Sequence, residues 1–221
     1  MSKVFFRILD WSEVWSLFIP LFVLMFKRKQ PAFMKPVIVY LFTAFFLNLS
    51  ADFIGDYKIF LPGWLQSNNP IYNIHSLVRF ACFSYFFLLL KQPFFIFIKK
   101  ILPVVSLAFV IINFTFSEYF FYDAHLSGNL LAMEAFLLLI YCMLYYLSQL
   151  KSEVQGLRDS KDFWTVTGLS IYVVINFFVF LFYVPMLTEK SDLAVNMWNV
   201  HNVAYILLCL FISKAFYVTP D

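Results

Sequence analysis

The sequence predicts an all-α, polytopic membrane protein: a seven-helix bundle in which residues 1–221 form a single transmembrane domain. Composition is the first reason, because 62% of the residues are apolar, 22% are aromatic and only 13% are charged. A soluble domain carries roughly twice that share of charge. The second reason is that the charged residues gather in short gaps between apolar runs, each close to the ~20 residues that cross the hydrocarbon core.

The apolar runs fix the predicted spans at about 11–27, 36–55, 71–90, 100–117, 124–150, 163–187 and 196–217. Pro20 lies within the first span and should kink it. The fourth span is interrupted by Lys99 and Lys100, with Pro93 and Pro103 beside the break. A six-span arrangement, in which residues 93–103 form a re-entrant or interfacial segment, therefore stays open as an alternative.

Basic residues in the gaps orient these spans. The first, third and fifth gaps carry ten lysines and arginines, whereas the second and sixth gaps carry only Lys58 and Lys190. The positive-inside rule then places the N-terminus outside and the C-terminus in the cytoplasm. Lys27–Lys29 stop the first run and no small-residue cleavage site follows it, so we expect a span there rather than a signal peptide. The predicted location is the bacterial inner membrane, in contact with the lipid bilayer.

Polar residues interrupt five of the spans, always in the half that this orientation places toward the outside. On the third span, Tyr72, His75, Ser76 and Arg79 share one helical face. A guanidinium at this depth costs several kcal/mol unless it is paired. Glu134 is the first candidate partner of Arg79 and Asp52 is the second. The predicted ligand-binding residues are Asp52, His75, Arg79, Glu134, Asn176, His201 and Asn202.

Several functions fit this polar cluster. It either only holds helices together, or it lines an outward-facing cavity of a receptor-like, ligand-binding module that acts with a partner protein or as a homo-oligomer. A third interpretation is a zinc-dependent hydrolase of a lipid-like substrate, with His75, His201 and Asp52 as ligands and His125 nearby. A fourth is an oligomeric channel or membrane effector, for which the sixth span offers a polar stripe of Thr165, Tyr172 and Asn176.

Among these, we favour the ligand-binding module over the enzyme. The hydrolase interpretation lacks a His-x-x-x-His pair on one helix, although Ser50 and Asp52 would complete its usual set of residues. We therefore expect no cofactor outside that interpretation, in which it would be zinc. We also expect no nucleic-acid partner.

Five short motifs resemble those of a loose family of small bacterial seven-span membrane proteins of unassigned function. They are 51–53 (ADF), 71–77 (IYNIHSL), 133–134 (ME), 162–164 (DFW) and 198–201 (WNVH). The resemblance implies no known activity, although some membrane proteins of this size are accessory or effector proteins of bacterial antiviral systems. In that pattern an acid stands where this chain has Arg79. The departure implies an Arg79–Glu134 pair, which favours a structural contact over a cation site.

Overall fold

The described part of the chain consists of helices joined by short connections and contains no strand. The structure is a computed structural model that describes residues 3–90, 92, 94–121, 126–152, 160–189 and 191–218. Its helices are α1 (Lys3–Asp10), α2 (Ser12–Trp15), α3 (Phe18–Phe26), α4 (Lys35–Tyr57), α5 (Asn69–Leu89), α6 (Ile96–Ile112), α7 (Gly128–Ser152), α8 (Lys161–Glu189) and α9 (Ser191–Tyr217). Each predicted span thus contains at least one of these helices.

The helical hydrogen bonding of the first predicted span is interrupted near Pro20. Proline has no N–H, and its ring would clash with the carbonyl four residues earlier, so Pro20 cannot extend a regular helix from Ser16. The Ser16 carbonyl instead accepts a hydrogen bond from Ile19 N at 3.1 Å, three residues on, and the helix resumes as α3. The regular hydrogen bonding is therefore interrupted between α2 and α3, whereas the kink itself stays a prediction.

Among the described helices, five are long and apolar enough to cross a membrane. They are Ala32–Phe60, Ile96–Ser117, Gly128–Lys151, Lys161–Leu187 and Asp192–Tyr217. Two predicted spans are not among them. Ser12–Phe26 is a shorter apolar helix, and α5 carries polar residues such as His75 and Arg79 on its buried face. Residues 96–103 are not separated from the rest of the fourth predicted span, because α6 continues through Pro103 as one helix and ends in a π-helical turn, Asn113–Ser117. The choice between six and seven spans stays open.

The three basic gaps meet at one end of the bundle, which we call the basic end. Lys161 Nζ lies 3.2 Å from the carbonyl oxygens of both Ala215 and Phe216, and Gln30 Nε2 lies 3.3 Å from the Phe216 oxygen. Lys151 Nζ stands 4.9 Å from the centre of the Phe95 ring. The described parts of the first, third and fifth gaps therefore lie on the same side as the end of α9, as the predicted topology requires.

The half of the bundle near the basic end has an aromatic core. Phe87 of α5 stacks on Tyr141 of α7 with ring centres 5.0 Å apart, and both side chains are fully buried. In the same half α8 and α9 approach closely at Gly168, because a Cβ there would overlap the Phe211 Cβ. This half carries apolar packing, whereas most of the buried polar residues of the predicted site lie in the opposite half.

Candidate functional site

The opposite end of the bundle, where α4 ends and α5 begins, carries Asp10, Asp52, Asp56 and Glu118, and we call it the acidic end. Between this end and the aromatic core, six helices send polar side chains inward: α2, α4, α5, α7, α8 and α9. They are Glu13, Asn48, His75, Ser76, Arg79, Glu134, Asn176, His201 and Asn202, each less than 5% exposed. This polar half is the candidate site.

Arg79 of α5 and Glu134 of α7 form a bidentate ion pair inside it. Arg79 Nε lies 2.5 Å from Glu134 Oε1, and Arg79 Nη2 lies 2.7 Å from Oε2. The two side chains are only 4% and 3% exposed. The predicted pairing of Arg79 with Glu134 is therefore present, and Asp52, the second candidate, is not the partner.

Neighbouring groups complete the surroundings of this pair. The Ser76 hydroxyl donates to Glu134 Oε2 at 2.6 Å, one helical turn before Arg79. The Tyr172 ring covers the guanidinium, with its centre 5.0 Å from the Arg79 Cζ. No buried nitrogen of Arg79 and no buried oxygen of Glu134 lacks a partner. Charge, hydrogen bonding and packing are all satisfied here, which is the condition under which a buried ion pair is tolerated.

A second polar chain runs from α2 to α8 through α9. His201 Nε2 lies 3.0 Å from Glu13 Oε1, and His201 Nδ1 lies 2.5 Å from Asn176 Oδ1. The Asn176 amide nitrogen in turn donates to the Tyr172 carbonyl at 2.8 Å. Because Asn176 Oδ1 can only accept, Nδ1 of His201 carries a proton. Nε2 then either accepts a hydrogen bond from a protonated Glu13 or, when it carries a proton itself, donates one to the Glu13 carboxylate.

His75 stands between the two groups, and its Nε2 has no hydrogen-bond partner. Its ring stacks on Tyr40 at 5.8 Å between centres and meets Tyr205 edge-on at 6.4 Å. Tyr40 and Tyr205 contact each other through their hydroxyls at 3.3 Å, and Asn48 Nδ2 reaches the Tyr205 hydroxyl at 3.4 Å. The aromatic rings therefore hold His75 in place through packing.

Several buried polar atoms of this half have no hydrogen-bond partner. In the described residues of the polar half these are Ser12 Oγ, Asp52 Oδ2, His75 Nε2, Tyr172 Oη and Asn202 Oδ1. All but Asp52 belong to residues at most 2% exposed. An unpaired buried polar group typically costs about 1–3 kcal/mol. The unpaired atoms surround the Glu13–His201–Asn176 chain, and none belongs to Arg79 or Glu134.

The wall nearest the acidic end is aromatic and anionic. Tyr72 lies near the Glu13 side chain, and its ring meets Trp198 edge-on at 5.4 Å. Trp198 also lies 5.0 Å from the His201 ring. Asp52 is half-buried beside Glu13. Farther out, Arg7 pairs with Asp56 at 3.6 Å on the exposed surface.

The remaining predicted site residues fall as follows. Asn202 donates from Nδ2 to the Leu9 carbonyl at 3.1 Å, so it ties α9 to α1. Ser50 is exposed and its hydroxyl bonds back to the Phe46 carbonyl at 2.7 Å, away from the polar half. His125 lies outside the described residues. No metal-binding group of three or more His, Cys, Asp or Glu side chains occurs among the residues that the structure describes.

Comparison of the chain with protein-family models, curated proteins and solved structures found no match. The resemblance to small bacterial seven-span proteins therefore stays a prediction, and the function is inferred from the geometry of the polar half.

That geometry gives no support to two of the alternatives. Both ring nitrogens of His201 are engaged, so neither offers a free lone pair to zinc in this arrangement. The stripe predicted to line a pore, Thr165, Tyr172 and Asn176, is at most 1% exposed and packs inside the bundle. A groove of about 530 Å³ does lie between α6, α7 and α8, but its walls are mostly apolar side chains of the outer surface, such as Ile112 and Phe136.

Glu13 is the central residue that the sequence analysis missed. It lies near the start of the first predicted span and was not among the predicted ligand-binding residues, whereas it is 2% exposed and bonds to His201. The spacing of the sequence could not have located it. Asp10 and Glu13 are three residues apart, and only the second faces the bundle because α2 begins a new helix at Ser12.

Proposed function

We propose that this chain is a seven-span protein of the bacterial inner membrane that binds a small ligand in its polar half and acts with a partner as a receptor-like module. One observation carries the proposal: unpaired polar atoms on five helices surround the Glu13–His201–Asn176 chain. A purely structural cluster satisfies its buried groups internally, as the Arg79–Glu134 pair does. Groups left without partners can bind a ligand with hydrogen-bonding atoms of its own.

The seven-span topology is supported by the surroundings of Arg79 on α5 and by the position of the basic gaps. The charge of Arg79 is neutralised within the bundle, so α5 presents no charge of this residue to lipid. The basic gaps share one end, which the positive-inside rule assigns to the cytoplasm. Reporter fusions after Lys29, Lys91 and Arg158 should therefore all report a cytoplasmic position. A periplasmic result at any one of them would contradict the topology.

A ligand screen tests the binding function directly. The detergent-purified protein is heated with a library of small polar molecules, and a binder raises the unfolding temperature by mass action. Tyr172→Phe is the informative variant, because the Tyr172 hydroxyl has no partner and its removal should leave the unliganded protein as stable as before. The variant should lose the response to the binder.

Tyr145→Phe is the matched control, since that hydroxyl bonds to Asp162 near the basic end, at 3.1 Å. It should unfold at a lower temperature but keep the full response. A screen in which no compound stabilises the wild type, or in which both variants respond equally, would contradict a ligand site around Tyr172.

The partner would contact the basic end, which carries Lys151 and Lys161 and lies on the proposed cytoplasmic side. The mass of the purified protein in detergent, with elemental analysis, separates the alternatives. A monomer or dimer without zinc supports the receptor-like module. Stoichiometric zinc would instead support the hydrolase, and a closed ring the channel.

A further inference from the structure

The unpaired atoms of the polar half share a chemical preference. Asn202 Oδ1 can only accept hydrogen bonds, and Asp52 Oδ2 does the same when Asp52 is ionised. The Ser12 and Tyr172 hydroxyls and His75 Nε2 can either accept or donate. No unpaired atom is a donor alone. A molecule that satisfies all of them must therefore bring N–H or O–H donors.

The charges of the same region point in the same direction. Arg79 and Glu134 neutralise each other. The carboxyl group of Glu13 has His201 as its hydrogen-bond partner, and Tyr72 lies nearby. Asp52 lies beside Glu13 with a buried oxygen that has no partner. The described basic side chains at this end, Arg7 and Lys58, are exposed on the surface, so neither supplies a buried countercharge. Because Glu13 already has His201 as a buried partner, Asp52 is the acid left without a basic partner among the described residues, and a positive charge is favoured beside it when it is ionised.

Aromatic rings form the wall beside these two carboxyl groups. Tyr72 and Trp198 meet at 5.4 Å, Tyr183 and Trp198 at 5.3 Å, and Trp198 lies against His201. The faces of tryptophan and tyrosine attract cations, and aromatic walls combined with carboxylates recognise alkylammonium groups. A bare metal ion fits poorly, because the described residues offer no group of three metal-ligating side chains.

We propose that the ligand of the polar half carries a small primary ammonium group, held between Asp52, Glu13 and the Tyr72–Trp198 wall, with Asn202 Oδ1 accepting one of its N–H bonds. This inference rests on the proposed ligand-binding function and names the chemical class of the ligand. The ammonium supplies both the charge and the donors that the region lacks. A quaternary ammonium supplies the charge without the donors, so it should bind less well.

Thermal unfolding of the full chain in detergent tests the proposal, with methylammonium chloride as the probe and sodium chloride at equal ionic strength as the reference. Methylammonium should raise the unfolding temperature in a saturable way, and tetramethylammonium should raise it less. Asp52→Asn should abolish most of the methylammonium response. It should still fold, because the side chain is only half-buried, and gel filtration checks that it does.

Glu118→Gln is the matched control, an acid at the same end whose oxygens already bond to Asn113 and Ser127. It should keep the full methylammonium response. An equal response in Asp52→Asn, or a response to tetramethylammonium as large as that to methylammonium, would overturn the proposal.

Acetate and acetamide complete the experiment. If either of these stabilises the wild type but not Tyr172→Phe, while methylammonium does nothing, the ammonium class is wrong and the ligand site itself stands. If methylammonium, acetate and acetamide are all without effect, the ammonium class is also wrong. The ligand screen of the wild type and Tyr172→Phe then decides the binding function separately.

Discussion

Two buried glutamates in this bundle have opposite surroundings. Glu134 forms a bidentate ion pair with a permanently charged arginine, and one of its oxygens also accepts a hydrogen bond from a serine hydroxyl. Glu13 meets a histidine, whose charge depends on a proton, and the unpaired atoms of the polar half surround it. Both carboxyl groups are less than 5% exposed, so burial alone does not explain the difference between them.

The difference separates what holds the helices from what is left to bind. The Arg79–Glu134 pair joins α5 to α7 with no buried polar atom left over, and its two charges stabilise each other. The Glu13–His201–Asn176 chain joins α2, α9 and α8 and has no unpaired atom of its own, but unpaired atoms of neighbouring residues lie around it. A ligand gains free energy at those neighbouring atoms, because the paired groups of either glutamate offer it no unsatisfied group.

The largest effect should follow from breaking the arginine pair. Arg79→Met or Glu134→Gln alone strands one charge in low dielectric, which typically lowers the free energy of unfolding by about 3–5 kcal/mol. The double variant should recover much of that loss. A thermal-shift double-mutant cycle measures the coupling. Additive losses would mean that the two residues do not stabilise each other, and the contrast with Glu13 would disappear.

The spacing of α8 and α9 should matter next, because these helices supply both Asn176 and His201. Gly168→Ala places a methyl group against Phe211 in the aromatic half. Overpacking of this kind costs about 1–3 kcal/mol, and separating the helices would lengthen the contact between His201 and Asn176. The unfolding temperature should fall.

Gly63→Ala is the control for that substitution, since a Cβ there meets nothing within 4 Å. It should leave the unfolding temperature unchanged. If Gly168→Ala is equally harmless, the helices are less tightly packed at this position than the structure indicates.

The arginine pair could be predicted because the depth of each charged residue in the membrane can be estimated from its own helix. An intramembrane arginine demands a partner, and Glu134 was the deepest acid available. The helices were predictable for a similar reason, since their apolar runs are long and the gaps between them carry the charge. The choice among spatial partners was narrow, and one strong constraint was enough.

Glu13 was not predicted because its environment depends on where one helix ends and the next begins. The hydropathy of the first run places residue 13 at the edge of the membrane. Burial of its carboxyl group requires that α2 restart after Trp11 and turn its side chain toward α9, 188 residues away in sequence. No periodicity carries that information. The same holds for His201, which was predicted as a ligand-binding residue and, in the hydrolase interpretation alone, as a zinc ligand, whereas both of its ring nitrogens are bonded within the bundle.

Glu13→Gln should cost far less than Glu134→Gln, which gives the sharpest test of the comparison. A glutamine keeps the length and a hydrogen bond to His201 but removes the buried negative charge. Because the histidine can then be neutral, no charge is stranded, and we expect a loss of about 1 kcal/mol or less. Unfolding in detergent at pH 7.5 measures both variants side by side. Equal losses would mean that His201 is a permanent cation and that the two glutamates serve the same purpose.

The smallest effect concerns the surface of the acidic end. Partial burial and the neighbouring Asp56 raise the pKa of Asp10 above its ordinary value. A carboxyl group whose pKa is raised by folding destabilises the folded state once it ionises, so the penalty is present at neutral pH and disappears as the pH falls through that raised pKa. Asp10→Asn should therefore raise the unfolding temperature slightly at pH 7.5. The gain should vanish near pH 4, and it should shrink in high salt because the side chain is exposed. A loss of stability at pH 7.5 that disappears near pH 4 would instead show that a basic group such as Arg7 stabilises the Asp10 carboxylate, and the crowding by Asp56 would be wrong.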